Sequence, residues 1–430
     1  MRKLLLASAA TLLAAGTAFA QPAKQVAAPG SIVVHLNGYF QYGFGAYGAS
    51  NMGSDAAGYK LNSTGTFGDF RLYPGFDGQT ASGIWYGFQG ELRTLVSNAG
   101  QGKNNNSTNG NGFAGLYVQR AYGYIGMPEY GFVRFGQTDS AFTLSQTGVI
   151  ESFGDGAQFN ADGGAVMLLP SAPGNFIYAD YSHLYTTDKI VYETPAVETL
   201  GGKLSGIIGF EPNSNGIKEG YASAGSANGA NAASIANGSN SRRRNTLDVS
   251  ATYANQMSGF ANKVSISYLH GSPLGSTNGL YLDSKGNTIA PYGYDELSVF
   301  QAGAQTTYAG LTVGGNLKWG QVEDGYDFKP KGARNALGYI VGASYNIGPY
   351  TVGASYFNEQ SSGKYVPGTT TTARTLSEYG VAAGANYQLA KPIGLFVQYL
   401  YGHQHQPTTV SGDRSNTQEQ VIAAGATLKW

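Results

Sequence analysis

Apolar and polar residues alternate with a period of two along most of this chain, which is the pattern of β-strands whose two faces meet different surroundings. The last segment shows it on one face with Ile422, Ala424, Ala426, Leu428 and Trp430. The pattern recurs around 84–93, where the opposite face carries Trp85, Gln89, Glu91 and Arg93. Beyond the first twenty residues no apolar run is long enough for a membrane helix. We therefore predict an all-β fold, a transmembrane antiparallel β-barrel.

Long polar connections alternate with short turns rich in glycine or proline. The long connections are 45–67, 98–112, 140–188, 213–241, 272–293, 323–335, 361–375 and 405–416. The best marked turns are 78–82, 127–130, 256–260, 309–310, 348–349 and 390–392. Outer-membrane barrels have this asymmetry, with short periplasmic turns and longer extracellular loops. The spacing predicts about sixteen strands in one closed sheet.

Closure of the sheet follows from the solvent. In hydrocarbon each unpaired backbone group costs several kcal/mol, so we expect the first strand, 32–44, to pair with the last, 418–430. A barrel of about sixteen strands is too wide for side chains to fill and holds an aqueous channel. A soluble β-sandwich is the alternative, but it leaves the asymmetry of the connections unexplained.

The start of the chain indicates export. Arg2 and Lys3 precede an apolar stretch, and Ala18-Phe19-Ala20 has small residues at the positions that a signal peptidase reads. The predicted parts are a signal peptide (1–20), a short periplasmic tail (21–31) and a single barrel domain (32–430). The chain has no cysteine, so we expect its stability to come from the hydrogen-bonded sheet rather than from disulfides.

Composition supports a membrane sheet and argues against a nucleic-acid partner. The chain has 64 Gly, 31 Tyr and 20 Phe, and only 12% of its residues are charged, against about 25% in soluble domains. The 26 basic and 26 acidic residues balance. Such a chain has no strong overall field that would attract nucleic acid.

Several segments resemble those of Gram-negative general porins. Gly131–Phe142 (GFVRFGQTDSAF) resembles the fifth strand of these porins, which leads into their long constriction loop. Asp188–Pro195 (DKIVYETP) is similar to the strand after that loop, and 75–78 with 83–87 resemble their first periplasmic turn. The aromatic terminal strand matches their assembly signal, although they usually end in Phe where this chain has Trp430. In order and spacing, the resemblance covers essentially all of the mature chain.

The resemblance implies a homotrimer in the outer membrane, a water-filled channel for passive diffusion of small hydrophilic solutes and ions. It also implies a long third loop folded into the lumen, where acids on the loop oppose a basic wall. The matching basic candidates are Arg71, Arg93, Arg120 and Arg134, and the acidic candidates are Glu151, Asp155 and Asp162. The strand 113–127, which carries Arg120, does not alternate cleanly, so its register stays open.

Other partners are predicted at the surface. Arg242, Arg243 and Arg244 end a long connection near the predicted outer interface and are candidates for contact with lipid phosphates, lipopolysaccharide or a neighbouring subunit. The alternative is a solvated charge run. Trp430 is the candidate signal for the barrel-assembly machinery.

Two alternative functions stay open. A sugar-selective channel would need aromatic side chains along the lumen, and Trp85, Phe300 and Phe396 are the inward candidates. An adhesin or structural barrel would act through its loops. The sequence G-x-G-x-x-G at 43–48 is followed by no helical pattern, and His403 and His405 lack a third ligand. We predict no cofactor, no metal and no enzymatic activity.

Overall fold

The alternating segments form one antiparallel sheet in the computed structural model, which describes residues 27–50, 62–95, 116–149, 152–159, 164–169, 187–213, 243–273, 293–323, 326, 328–362, 375–405 and 416–430. The predicted signal peptide, Glu151, Asp162 and Arg242 lie outside these residues. Within the described part of the chain, no helix has the length and apolar character needed to cross a membrane.

The strands follow one another around the sheet in chain order. They are β1 (Ser31–Ala49), β2 (Thr64–Gln79), β3 (Trp85–Leu95), β4 (Tyr117–Met127), β5 (Gly131–Thr138), β6 (Thr187–Glu193), β7 (Val197–Thr199), β8 (Gly202–Asn213), β9 (Arg243–Met257), β10 (Phe260–Pro273), β11 (Leu297–Tyr308), β12 (Leu311–Gln321), β13 (Ala336–Ile347), β14 (Tyr350–Ser362), β15 (Thr375–Ala390), β16 (Ile393–His405) and β17 (Asn416–Lys429). A short helix α1 (Ala141–Leu144) and a 3₁₀ turn (Ala165–Leu168) lie between β5 and β6.

The strands β6 and β7 are two parts of one spanning strand. Both pair with β8, and Pro195 interrupts the ladder between them because it has no N–H to donate. Thr194 bridges the interruption: its backbone N donates to Gly206 O at 2.9 Å, and its hydroxyl accepts from Gly206 N at 2.9 Å. The barrel therefore has sixteen spanning strands, as predicted.

The first and last strands close the barrel, which confirms the prediction. β1 pairs with β17 from Tyr39 opposite Lys429 to Ala49 opposite Glu419. This pairing lies further along β1 than the predicted 32–44, because β1 continues to Ala49. No strand in the described sheet has an unpaired edge, which is the condition for a sheet in hydrocarbon.

The two faces of the sheet differ in the way the alternation predicts. In β13, Leu337, Tyr339 and Val341 are exposed in the single chain, whereas Ile340 is buried between them. Exposed and half-buried aromatic rings stack across neighbouring strands at two heights. Phe260 with Tyr308 (4.4 Å between ring centroids) and Tyr350 with Tyr387 (4.9 Å) lie beside short turns, and Tyr268, Phe300 and Trp319 stack nearer the long connections. These are the aromatic girdles of a membrane barrel.

The position of Phe300 corrects one prediction. The sequence pattern predicts that its side chain lines the lumen, but it is 44% exposed on the apolar face and stacks on Trp319 at 5.5 Å. Its neighbours Val299 and Gln301 are buried on the opposite face. The prediction for Phe300 is wrong because Val299 is apolar although it does not face lipid. The local pattern of β11 therefore does not identify its two faces.

The face opposite the lipid side is apolar on several strands. Ile340, Phe357, Leu400 and Val421 are buried there in one cluster with Phe142, Phe153, Phe159 and Leu168 of the connection between β5 and β6. We call this connection, 139–186, the β5–β6 segment; the structure describes its residues 139–149, 152–159 and 164–169. At Gly353 the ring of Phe153 occupies the space that a Cβ would need. The β5–β6 segment therefore packs on the sheet through apolar contacts.

Candidate functional site

Two arginines lie directly opposite each other on β2 and β3. Arg71 and Arg93 are cross-strand partners, and like charges in that position destabilise a sheet. Each has an acid two residues earlier on the same face, because side chains alternate along a strand. Arg71 Nε pairs with Asp69, Arg93 Nε pairs with Glu91, and Arg71 Nη1 lies 3.9 Å from Glu91 Oε1. The interleaved acids offset the repulsion between the two arginines.

Arg120 joins the same group because β4 contains a β-bulge. Glu91 is opposite Arg120, but Leu92 is opposite Val118, so Gln119 is the extra residue. The bulge reverses the phase of the strand: Val118 is 50% exposed, whereas Arg120 is 7% exposed on the polar face. This settles the register that the sequence left open.

Glu91 is the acid that these arginines share. Arg120 Nη1 pairs with Glu91 Oε2, and Arg120 Nε donates to both carboxylate oxygens of Asp139 at 3.0 Å. We call these three arginines and three acids the Glu91 cluster; its members are Asp69, Arg71, Glu91, Arg93, Arg120 and Asp139. All six side chains are buried, and their formal charges balance. The repeated acid-x-Arg spacing was the sequence signal that could have identified Asp69 and Glu91.

Arg134 lies apart from this cluster. It is opposite Tyr124 on β4, and its Nε pairs with Glu193 of β6. Its guanidinium also lies over the ring of Tyr122, 5.3 Å from the centroid, a cation–π contact. The structure thus brings together three of the four predicted arginines and places the fourth in a separate ion pair.

Arg243 belongs to a second buried charge group and not to the outer surface. It is 1% exposed, and its Nη2 lies 3.4 Å from Glu211 Oε2. Lys189 Nζ lies 3.8 Å from the same oxygen and donates to Thr138 O at 3.0 Å. The structure therefore corrects the prediction that Arg243 contacts lipid. Arg244, the next residue, is exposed, and its lipid contact stays a prediction.

Amide side chains of the strands hold the backbone of the β5–β6 segment. The sequence does not identify them, because glutamine and asparagine in a polar strand face give no local signal of their partner. Gln301 Nε2 donates to Phe142 O at 3.2 Å, and Asn316 Nδ2 donates to Thr147 O at 3.0 Å. Gly148 N donates to Gln305 Oε1 at 3.3 Å. A side-chain amide suits this role, because it can donate to a backbone C=O and accept from a backbone N–H.

The same pattern continues on the last strands. Gly154 N donates to Asn386 Oδ1 at 2.7 Å, and Asp155 N donates to Gln398 Oε1 at 2.8 Å. Gln41 Nε2 of β1 donates to Asp155 O at 3.0 Å. The β5–β6 segment is thus bonded successively to β11, β12, β15, β16 and β1. We call the six side chains the amide clamp; they are Gln41, Gln301, Gln305, Asn316, Asn386 and Gln398.

A buried lysine adds a further contact at the beginning of the segment. Lys318 Nζ lies 5.5 Å from the ring centroid of Phe142 and 5.4 Å from that of Tyr326. These two rings meet edge to face at 5.9 Å. Phe142 N also donates to Asp248 Oδ2 at 3.1 Å. Helix α1 is therefore fixed both by charge and by aromatic packing.

Asp155, a predicted constriction acid, is bonded within its own segment. Its carboxylate accepts backbone N–H groups from Ala157 (2.8 Å), Gln158 (3.2 Å) and Ala165 (2.6 Å). Burial raises the pKa of Asp155 above its ordinary value, and these N–H donors oppose that rise. The carboxylate thereby joins two parts of the segment. Glu151 and Asp162, the other acidic candidates, lie outside the described residues.

The described part of the chain contains no group of three or more His, Cys, Asp or Glu residues placed to hold a metal ion. The described residues instead form a set of fixed charges on β2 to β4, and they hold the β5–β6 segment by hydrogen bonds to strands between β9 and β1.

Comparison with known proteins gives the family. The family model for Gram-negative porins matches residues 7–406. Among solved structures, a triple mutant of the Rhodopseudomonas blastica porin is similar, with 15% identity over 93% of this chain and 100% of that chain and a TM-score of 0.49. A loop-deletion mutant of OmpT, an outer membrane protein of Vibrio cholerae, shares 12% identity over 93% and 99% of the two chains, with a TM-score of 0.49. No curated protein sequence matches. With a match that spans nearly its whole length, the chain belongs to the Gram-negative porin family and is an outer-membrane channel protein.

Proposed function

We propose that the chain forms a water-filled channel for passive diffusion of small hydrophilic solutes and ions, and that the β5–β6 segment narrows its lumen. The observation that carries this proposal is the amide clamp, which bonds the segment to the polar face of β11, β12, β15, β16 and β1. Five members of the Glu91 cluster lie on β2 to β4, on the remaining arc of the wall, and the sixth, Asp139, is the first residue of the β5–β6 segment. A solute would pass between the later part of the segment and the β2–β4 wall in which this cluster is fixed.

The charges support sieving by hydration. Arg71, Arg93 and Arg120 remain charged when desolvated, because guanidinium is a very weak acid. Opposite charges fixed a few ångströms apart produce a strong local field, since the surrounding protein has a low dielectric constant. Water in such a field is ordered, so an apolar solute must disrupt it while a small polar solute replaces its hydrogen bonds.

The remaining aromatic candidates favour a general channel over a sugar-selective one. Phe396 is buried and packs against Phe67, 6.1 Å away between centroids, so its face is not available to a sugar. Trp85 packs edge to face on Phe132 at 6.2 Å. Phe300 lies on the lipid side, so the three candidates do not form a row of aromatic rings along the polar face.

Conductance in planar bilayers tests this function. We expect ohmic current steps that rise in proportion to salt concentration, and no block by sugars. Saturable block by one sugar would contradict the general channel and support the substrate-selective channel. Protein that inserts into the bilayer without any conductance would support the adhesin or structural barrel.

We also propose a homotrimer, assembled by the barrel-assembly machinery through the Trp430 strand and in contact with lipopolysaccharide through Arg244. The support is membership of the porin family and the exposure of both side chains. Native mass spectrometry of the detergent-extracted protein tests the trimer, and a monomeric mass for protein that conducts would contradict it. Binding of lipopolysaccharide to Arg244→Gln, compared with the parent chain, tests the lipid contact.

A further inference from the structure

A cavity of about 400 Å³ lies at the end of the barrel that carries the short turns. It is bounded by Gly148–Val149 and Ser152–Gly156 of the β5–β6 segment, by strand residues, and by Lys391 and Lys429. A space of this size accommodates a small organic or inorganic solute. The proposed function assigns a general passage to the lumen and no binding site to this part of it.

Two lysines come together at the edge of the cavity. Lys391 lies in the turn between β15 and β16, and Lys429 ends β17. Lys429 N donates to Pro392 O at 2.9 Å, which holds the two chain segments side by side. Lys429 Nζ lies 5.8 Å from the ring centroid of Tyr39, on the wall of the cavity. Both lysines therefore border the cavity.

Two amide oxygens of the lining are already used as acceptors. Gln305 Oε1 accepts from Gly148 N at 3.3 Å, and Asn346 Oδ1 accepts from Thr351 Oγ1 at 2.6 Å. Their NH₂ groups make no hydrogen bond to another described residue and remain as donors. Asp155, the only acid among the described lining residues, uses its carboxylate for three backbone N–H groups. Among the described lining residues there are thus two lysines against one acid whose carboxylate is already used, and the amides of Gln305 and Asn346 remain as donors. Gln388 differs, because its NH₂ group donates to Ala390 O and Ile393 O.

We propose that this cavity is a binding site for small oxyanions, such as phosphate or a short carboxylate. Lys391 and Lys429 would supply the attraction, and the amides of Gln305 and Asn346 would orient the oxygen atoms, because charge-assisted hydrogen bonds to oxyanions are the strong ones. The site rests on the proposed channel function and adds a preferred solute class to it. An oxyanion would be held at the short-turn end before it leaves the channel.

Inorganic phosphate is the probe. Single channels are recorded in about 0.1 M KCl, where the Debye length is near 10 Å, and phosphate is added to one chamber at a time. We expect saturable reduction of the current in the parent channel. In the double variant Lys391→Gln/Lys429→Gln the half-blocking concentration should rise on the order of tenfold, since each exposed ion pair contributes up to a factor of about five.

Lys203→Gln is the matched control. Lys203 lies at the same end of the barrel, next to the turn between β7 and β8, but pairs with Glu198 at 3.5 Å outside the cavity. We expect its half-blocking concentration to equal that of the parent. Heat-modifiable gel migration and circular dichroism establish that both variants are folded. Equal block in the double variant and the parent, or no block in a parent channel with normal ohmic steps, would overturn the oxyanion site; absence of ohmic steps would instead overturn the channel function.

Discussion

The indole ring of Trp430 lies against Gly38, at the seam where the last strand meets the first. Gly38 N donates to Trp430 O at 3.1 Å, and Trp430 N donates to Gly38 O at 3.2 Å. A Cβ at position 38 would overlap the six-membered ring of the indole. Only glycine therefore allows the terminal side chain to cover the seam while both backbone bonds form.

Substitution at this seam should displace the indole. We expect Gly38→Ala to lower the thermal midpoint of the detergent-solubilised barrel by the equivalent of about 1 kcal/mol, because the ring loses its packing. Gly48→Ala is the control, since Gly48 lies on the same strand and the nearest atom to a Cβ there is 4.0 Å away. Equal midpoints for the two variants would contradict the role given to Gly38.

Removal of the shared acid should destabilise the Glu91 cluster and change ion preference together. In Glu91→Gln three buried arginines retain only Asp69 and Asp139 as acidic partners within the cluster, and breaking a buried ion pair costs about 3–5 kcal/mol. We expect a lower unfolding midpoint and a reversal potential shifted towards anions. Glu198→Gln removes an exposed, paired glutamate at the surface and should change neither quantity. An unchanged reversal potential in folded Glu91→Gln would show that solutes do not pass the cluster.

Loss of one amide should loosen the β5–β6 segment. Gln398→Ala removes the acceptor of Asp155 N, which leaves a buried N–H without its partner, at a cost of about 1–3 kcal/mol. We expect noisier single-channel currents and faster proteolysis within the segment in limited digestion. Gln420→Ala is the control, because Gln420 contacts the hydroxyl of Tyr399 on the lipid face. Identical current noise in the two variants would argue against a clamped constriction.

Asp155 should give the segment a distinctive dependence on pH. Burial raises its pKa in the folded chain, so the folded state binds this proton more tightly than the unfolded state does. The contribution to the free energy of unfolding therefore grows as the pH falls through the raised pKa, and it is absent well above that pKa. We expect the parent to gain stability relative to Asp155→Asn on acidification. Thermal unfolding of both proteins across pH measures this change in relative stability. A parent that loses stability relative to Asp155→Asn as the pH falls would contradict the prediction.

The sequence determined the features that repeat locally. The period of two assigned Arg71 and Arg93 to the polar face of their strands and Leu337, Tyr339 and Val341 to the apolar face, and the connection lengths predicted the number of strands. These inferences hold because each side chain of a strand points away from its neighbours, so the assignment needs no knowledge of distant residues.

The tertiary structure decided which side chains meet. The convergence of three arginines on Glu91 depends on strand register and on the bulge at Gln119, neither of which the local pattern of β4 contains. Ile340, Phe357 and Val299 are buried because the β5–β6 segment packs against the face of the sheet opposite the lipid side. The burial of Val299 places its neighbour Phe300 on the lipid side. A buried apolar residue under such a segment and a lipid-facing one satisfy the same hydrophobic preference, so only the three-dimensional packing distinguishes them.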